Sequence, residues 1–265
     1  MTRILQLSDT HLVAPPKLVS KKLDTYSLFG AAVDRVINDL TKIGPIDAVV
    51  VTGDVSDDGS VGSYEAFREI IERIDLPYYV IPGNHDCRET MLGLFNDSKY
   101  NAGVEKFHWV KRFGDMQLIG LDTVVPKSGG GIFDSVSLDF LASSLSSDPE
   151  IPTMIAMHHP PFISGVHFMD AISLKGSDAF AELLQSVPND IRIICGHLHT
   201  MVVGSVGNRV AISSPATCSS FDVDYRTDAP VGYTTKPGGY MIHDWSMGFR
   251  STCVPLIPGN DIYPF

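Results

Sequence analysis

Five short strings in this 265-residue chain carry the residue types that divalent metals select: Ser8-Asp9-Thr10-His11, Gly53-Asp54, Gly83-Asn84-His85-Asp86, His158-His159-Pro160-Pro161 and Gly196-His197-Leu198-His199. Six of the nine histidines lie in them. Together they offer imidazole nitrogens, carboxylate oxygens and one amide oxygen, with no thiolate among them. Seven or eight such groups are too many for one tetrahedral ion. Two ions roughly 3.5–4 Å apart, sharing a bridging carboxylate, would use the set fully, and such a pair clamps an in-line displacement at phosphorus. Asp9 and His11, two apart, are expected to point the same way from extended chain and to hold one ion. His197 and His199 repeat that spacing.

Taken singly, each string has an ordinary structural reading. A strand-end Asp is usually a cap, Gly53-Asp54 a common turn, and His158-His159 one buried and one exposed side chain. Their placement is what sets them apart. Each follows a short apolar run of the kind that forms a strand buried on both faces: Ile4 to Leu7, Ala48 to Val51, Tyr78 to Ile81, Met154 to Met157 and Ile191 to Cys195. Leu118 to Leu121 is a sixth run of this type. Ligands of an open α/β sheet bind beyond the carboxyl ends of its strands, so all five loops are expected to converge.

Between the first two runs Leu28, Ala32, Val33, Val36, Ile37 and Leu40 follow a helical period that Gly44-Pro45 closes. A second helix carries Phe67, Ile70, Ile71 and Ile74, and weaker ones are expected near 138–145 and 179–184. From about Met201 onward the periodicity is β-like, a second sheet or a β extension with no linker before it. Residues 1–265 therefore read as one domain, with 201–265 a β-rich part and a candidate oligomer contact. Ser128-Gly129-Gly130-Gly131 reads as a mobile loop, His108 and His243 as structural residues, and His167 as a candidate for substrate contact.

Composition excludes several classes. Twenty Lys and Arg face 31 Asp and Glu, a net charge of −11. That disfavours a nucleic-acid polymer as partner, because such binding comes mainly from basic side chains on phosphates. A small anion stays admissible, since bound metal reverses the local field. With 44% apolar residues the chain is not disordered, and no apolar run reaches the length of a bilayer span. Four cysteines without C-x-x-C spacing read as buried, inert thiols. The N-terminus passes straight into an apolar strand, which leaves no room for a signal peptide and implies a cytoplasmic location.

The five strings, in this order, resemble the signature of the calcineurin-like metallophosphoesterases. More narrowly, Val51-Thr52-Gly53-Asp54, Asp57-Asp58-Gly59 and Tyr79-Val80-Ile81-Pro82-Gly83-Asn84-His85-Asp86 are similar to bacterial class III cyclic-nucleotide phosphodiesterases and the related glycerophosphodiesterases. The resemblance is good over residues 2 to 200 and thinner beyond. It implies two mixed sheets sandwiched between helices, with a C-terminal β extension. It makes Asp9, His11 and His199 ligands of one ion, Asn84, His158 and His197 ligands of the other, and Asp54 the bridge. His158 is preferred to His159 on the family's His-x-Pro spacing alone.

His85, not itself a ligand, would sit over the scissile phosphate as the catalytic residue, with His11, Asn84 and His199 also facing substrate. The implied cofactors are two ions of Mn, Fe, Co or Zn. The implied reaction is hydrolysis of a small phosphodiester, of 3',5'-cyclic nucleotide or glycerophosphodiester type, by a hydroxide held between the metals. The β-rich end is expected to serve a homo-oligomer, a dimer or higher, and the lack of a long apolar run leaves no membrane partner expected. A phosphomonoesterase or phosphoprotein phosphatase is the alternative on the same centre. A binding module that merely kept the fold would show damaged ligand strings, and none here is damaged.

Overall fold

The computed structural model describes residues 1–95, 105–259 and 263. The first half of the chain runs β1 (Thr2–Leu7), α1 (Thr25–Ile43), β2 (Ala48–Thr52), α2 (Val61–Ile71), β3 (Tyr78–Ile81), α3 (Arg88–Phe95), β4 (Trp109–Phe113) and β5 (Met116–Leu121). After β6 (Gly131–Ile132) come α4 (Ser135–Ser146), β7 (Thr153–Met157), α5 (His167–Asp170), β8 (Leu174–Lys175), α6 (Ser177–Ser186) and β9 (Ile191–Cys195). Four strands end the described chain: β10 (Val203–Val206), β11 (Arg209–Ser213), β12 (Gly239–Trp245) and β13 (Phe249–Pro255).

The strands form two large mixed sheets. One has the order β13-β12-β1-β2-β3 and the other β10-β11-β9-β7-β5-β4, while β6 and β8 pair by themselves. Parallel pairing holds the middle of each sheet, β1 with β2 and β3, and β5 with β7, β9 and β11. Antiparallel strands close three of the four edges, and the fourth is the parallel strand β3. The β-rich end extends both sheets, β10 and β11 in one and β12 and β13 in the other. Residues 260–262, 264 and 265 of that end lie outside the described residues.

Local chemistry accounts for the elements. Asp24 caps α1 by accepting from the Ser27 N–H, and Gly44 ends it at φ 79°, a conformation open to glycine. The apolar face of α1, with Phe29, Val33 and Val36, packs with Phe67 and Ile70 of α2 on the first sheet. Leu141 and Leu145 of α4 and Phe180 and Leu184 of α6 cover the second.

Where the sheets face each other, β1, β2, β5 and β7 are buried along their whole length. Few polar groups cross that interface, and they are paired. Gln6 on β1 donates to Thr52 Oγ1 at 2.8 Å and to the Cys195 carbonyl at 3.0 Å, joining the carboxyl ends of strands from both sheets. The Trp109 indole N–H donates to the Val80 carbonyl at 2.8 Å.

Two local expectations change, and two elements come unannounced. Cys87 and Cys253 are only half-buried, although Cys195 and Cys218 are buried as expected. Gly131 belongs to β6, so the glycine string is in part a strand, paired with β8. The strand over Trp109–Phe113 and the helix over Arg88–Phe95 carried too weak a pattern to read, because four of the five β4 residues are partly exposed or exposed and α3 buries only Met91 and Phe95.

Candidate active site

Each of the five strings leaves the carboxyl end of a strand, two of them from β7 and β9 of one sheet and three from β1, β2 and β3 of the other. The strand ends meet because glycines stand where they touch. A Cβ on Gly53 would lie 2.4 Å from His158 Nδ1, and one on Gly196 would lie 2.3 Å from Ser8 Oγ.

The site gathers all seven predicted donors. His11 Nε2 lies 3.1 Å from His199 Nε2, which is 3.5 Å from Asp9 Oδ1. Across the site His158 Nε2 lies 3.1 Å from Asn84 Oδ1 and 3.2 Å from His197 Nδ1. Asp54 Oδ2 stands between the two groups, 3.4 Å from His11 Nε2 and 3.4 Å from His158 Nε2. Asp9, His11 and His199 form one compact cluster and Asp9, Asp54 and His158 another.

The backbone brings them there by a route that strand alternation does not supply. Asp9, His11, Asp54, His197 and His199 all have positive φ, from 42° to 69°. The expectation that Asp9 and His11 project from extended chain is therefore wrong, and so is its repeat at His197 and His199. Non-glycine residues in the left-handed region cost of order 1–3 kcal/mol each, and they persist where surrounding bonds over-determine them. Here Asp9 N–H donates to Gly53 O at 3.1 Å, His11 N–H to Asp54 O at 2.8 Å and His197 N–H to Asp9 Oδ1 at 3.0 Å.

Electrostatics favour neutral imidazoles at His197 and His199. At His158 burial opposes the charge, yet Asp54 lifts the ring to about 9, so it sheds a proton when it ligates. Burial pushes Asp9 up to about 6 and pushes the imidazole of His197 down to about 3. Burial likewise holds His199 well below the ordinary histidine range, neutral and able to coordinate. Burial opposes the charge of Asp54, yet His158 and His11 hold its carboxyl well below the ordinary value. Buried ring nitrogens that face one another at 3.1–3.2 Å beside carboxylates lack a donor for every pair, and a cation among them satisfies all at once. Donor types and burial thus fit divalent ions, with oxygen and nitrogen supplied and the Cys218 thiol turned away onto the Asp9 carbonyl.

His159 is also buried, so the expected split into one buried and one exposed histidine does not occur. Its two ring nitrogens are engaged elsewhere, Nδ1 with Thr123 Oγ1 at 2.8 Å and Nε2 with the Gly129 carbonyl at 3.2 Å. His158 Nδ1 bonds the Thr52 carbonyl at 2.8 Å, which turns its Nε2 into the cluster.

His85 stands at the edge, its side chain 40% exposed, and its backbone N–H donates to Asp54 Oδ1 at 2.9 Å. The bond to Asp57 raises its imidazole to about 9, against the pull of burial.

A cavity of about 270 Å³ opens over this floor, with His11, Asp54, Asp57, Asn84, His85, His197 and His199 among its lining. Val19, Leu23, Phe168, Met169, Ile172, Phe221 and Tyr233 give the same cavity its apolar lining. His167 does not line it; the residue is exposed on α5, with Nε2 3.2 Å from the Tyr225 carbonyl, and its neighbours Phe168 and Met169 take the wall. His108 and His243 lie buried away from the cluster, bonded to Asp122 N–H and to Gln6.

Sequence reasoning assigned no role to two carboxylates that hold the site together. Asp57 bonds His11 and His85, and its place three residues after Asp54 was the available signal. Asp86 accepts from the backbone N–H groups of Val55, Ser56 and Gly83 and from the Tyr64 hydroxyl, tying the loops after β2 and β3. Nothing local marks that role.

Two packed mixed sheets with a histidine and aspartate cluster at their carboxyl ends define a phosphatase-type α/β fold. A dimetal phosphatase from Danio rerio superposes over 97% of this chain and 96% of its own with a TM-score of 0.71, at 13% identity. The chain belongs to the calcineurin-like phosphoesterases, a family of metal-dependent hydrolases whose model matches residues 2–201. It is 31% identical over 246 residues to a probable glycerophosphodiester phosphodiesterase, GpdQ, of Arcobacter nitrofigilis, covering 92% of this chain and 88% of that one. It is also 31% identical to the 3',5'-cyclic adenosine monophosphate phosphodiesterase CpdA of Vibrio vulnificus, covering 99% and 92%.

Proposed function

We propose that this chain hydrolyses small phosphodiesters at a two-ion centre, with 3',5'-cyclic nucleotides favoured over glycerophosphodiesters. The observation that carries the reading is Asp54 Oδ2 at 3.4 Å from both His11 Nε2 and His158 Nε2. Asp9, His11 and His199 would hold one ion, Asn84, His158 and His197 the other, and Asp54 both. When bound, divalent ions of Mn, Fe, Co or Zn supply a nucleophilic water at neutral pH and neutralise the phosphoryl oxygens.

The protein does the rest. The cavity floor orients the phosphoryl group beside His11, Asn84, His85 and His199. His85 Nδ1 is committed to Asp57, so Nε2 is the atom left to hold a proton against the leaving oxygen. The apolar lining favours the cyclic nucleotide, because Phe221, Tyr233 and Phe168 give the cavity aromatic surface for a planar base to cover, and glycerol has no surface to match it.

In the same reading residues 1–265 act as one unit, a homo-oligomer in the cytoplasm with no membrane or nucleic-acid polymer as partner. The completion of both sheets by the C-terminal strands supports the single unit.

Metal analysis combined with turnover of cyclic nucleotides, glycerophosphodiesters and p-nitrophenyl esters tests this reading. It expects two ions per chain, loss of turnover on chelation, restoration by Mn or Co, and bis-p-nitrophenyl phosphate hydrolysed faster than the monoester. Faster monoester turnover would assign a phosphomonoesterase instead, and full activity with one ion would end the two-ion reading. Sedimentation of the purified protein reads the oligomeric state.

A further inference from the structure

We propose that Ser219 is a positioning residue of this centre, and that with Phe221 it sets the tautomer and plane of His199. The inference rests on the two-ion reading above. His199 shows Nε2 to His11 and Asp9, while Nδ1 lies 3.0 Å from Ser219 Oγ. An imidazole that ligates through Nε2 must carry its proton on Nδ1, and that N–H needs an acceptor. Ser219, 3% exposed, provides the acceptor where solvent has little access. The Phe221 ring lies against the His199 ring with centroids 4.4 Å apart and planes 16° apart, which opposes rotation about the Cβ–Cγ bond.

Both residues sit on a segment that grips the site at several points. Thr217 N–H donates to the Ser8 carbonyl at 3.2 Å, the Cys218 thiol donates to the Asp9 carbonyl at 3.1 Å, and Ser220 and Thr234 exchange backbone bonds at 3.2 and 2.8 Å. This stretch lies beyond residue 201, where the match to the family model ends. Asp9 and His199, both assigned to one ion, are thus supported from the same short stretch. The ligands of the second ion make no bond to Ser219.

Calorimetric titration of the metal-free full chain with Mn²⁺ tests the assignment, using wild type, Ser219→Ala and Ser219→Thr. Ser219→Ala is expected to weaken one of the two sites about 10–100-fold and leave the other at wild-type affinity, the usual effect of removing a partner behind a ligand. Ser219→Thr keeps the hydroxyl and is expected to restore the weakened site. Thermal midpoints of the metal-free proteins report on folding and are expected to agree.

Wild-type affinity at both sites in Ser219→Ala would overturn the inference. So would equal weakening of both sites with a lowered metal-free midpoint, or a Ser219→Thr protein as weak as the alanine variant. Saturation of the wild type at one ion would instead fail the two-ion reading, and the alanine-to-wild-type affinity ratio at that one site would then judge Ser219.

Discussion

The Nδ1 atom of His85 lies 3.3 Å from Asp57 Oδ1, and the same oxygen is 2.9 Å from His11 Nδ1. One half-buried carboxylate therefore orients two rings with different tasks, a proposed ligand and the proposed proton donor. Burial opposes the charge of Asp57, but its bonds to His11 and His85 hold its carboxyl well below the ordinary range.

Asp57→Asn keeps the shape of that contact and removes the charge. It is expected to slow turnover of diesters with poor leaving groups by about 10²-fold, within the range of general acid catalysis. Combining it with His85→Ala should add little further leaving-group-dependent loss, because the two act through one proton. Full additivity in the double-mutant cycle would separate them.

His85→Ala should retain both ions while the chemical step slows by roughly 10²–10⁴. The loss should be smaller for p-nitrophenolate, which departs with little protonation, than for a ribose alkoxide. Kinetics on matched aryl and alkyl diesters read this directly. Equal losses would assign His85 to the phosphoryl oxygens, and lost metal would make it part of the binding set.

Asp54→Ala is expected to lose the ion pair and nearly all turnover. Asn84→Ala should lower occupancy at one site more than at the other, since its amide oxygen approaches only the His158 group. Metal content after dialysis distinguishes the two variants, and wild-type content in both would refute the ligand assignment.

Gly196→Ala tests the junction of the sheets. Its Cβ would come within 2.6 Å of the Thr52 carbonyl and 2.8 Å of Asp9 Oδ2 as well as against Ser8. Overpacking of this kind costs about 1–3 kcal/mol, so denaturant midpoints should fall, and metal affinity with them as Asp9 is displaced.

Acid should weaken the fold through two histidines remote from the cluster. Burial lowers His108 to about 4 and His243 to about 3, from 6.5. The unfolded chain then binds protons that the folded chain refuses. Their contribution is complete above pH 6.5 and is lost as pH falls from 6.5 toward 4 for His108 and toward 3 for His243, by up to about 1.4 kcal/mol per pH unit for each. Denaturation of the metal-free protein across pH 4–7 checks it, and His108→Gln should flatten the slope.

Asp9, His11, Asp54, Asn84, His158, His197 and His199 were legible because each follows a predominantly apolar run too short for a helix, including the run of the edge strand β3. The helices over Thr25–Ile43 and Val61–Ile71 were legible for a related reason, a 3.6 period ended by caps. Burial and period are written in neighbouring residues, so sequence alone determined the five strands that carry the site and the chemical types at their ends. Contacts between distant segments leave no such trace. Tertiary structure alone decided that five of these residues turn through left-handed backbone, since hydrogen bonds from other strand ends enforce it. It also decided that His158, and not His159, meets Asn84 and Asp54, because Thr52 takes the Nδ1 of one while Thr123 and Gly129, far away in the chain, take both ring nitrogens of the other. Ser219, Phe221 and Tyr233 reach the site from a stretch with no recognisable pattern, because packing of the last strands onto both sheets, and nothing local, carries them there.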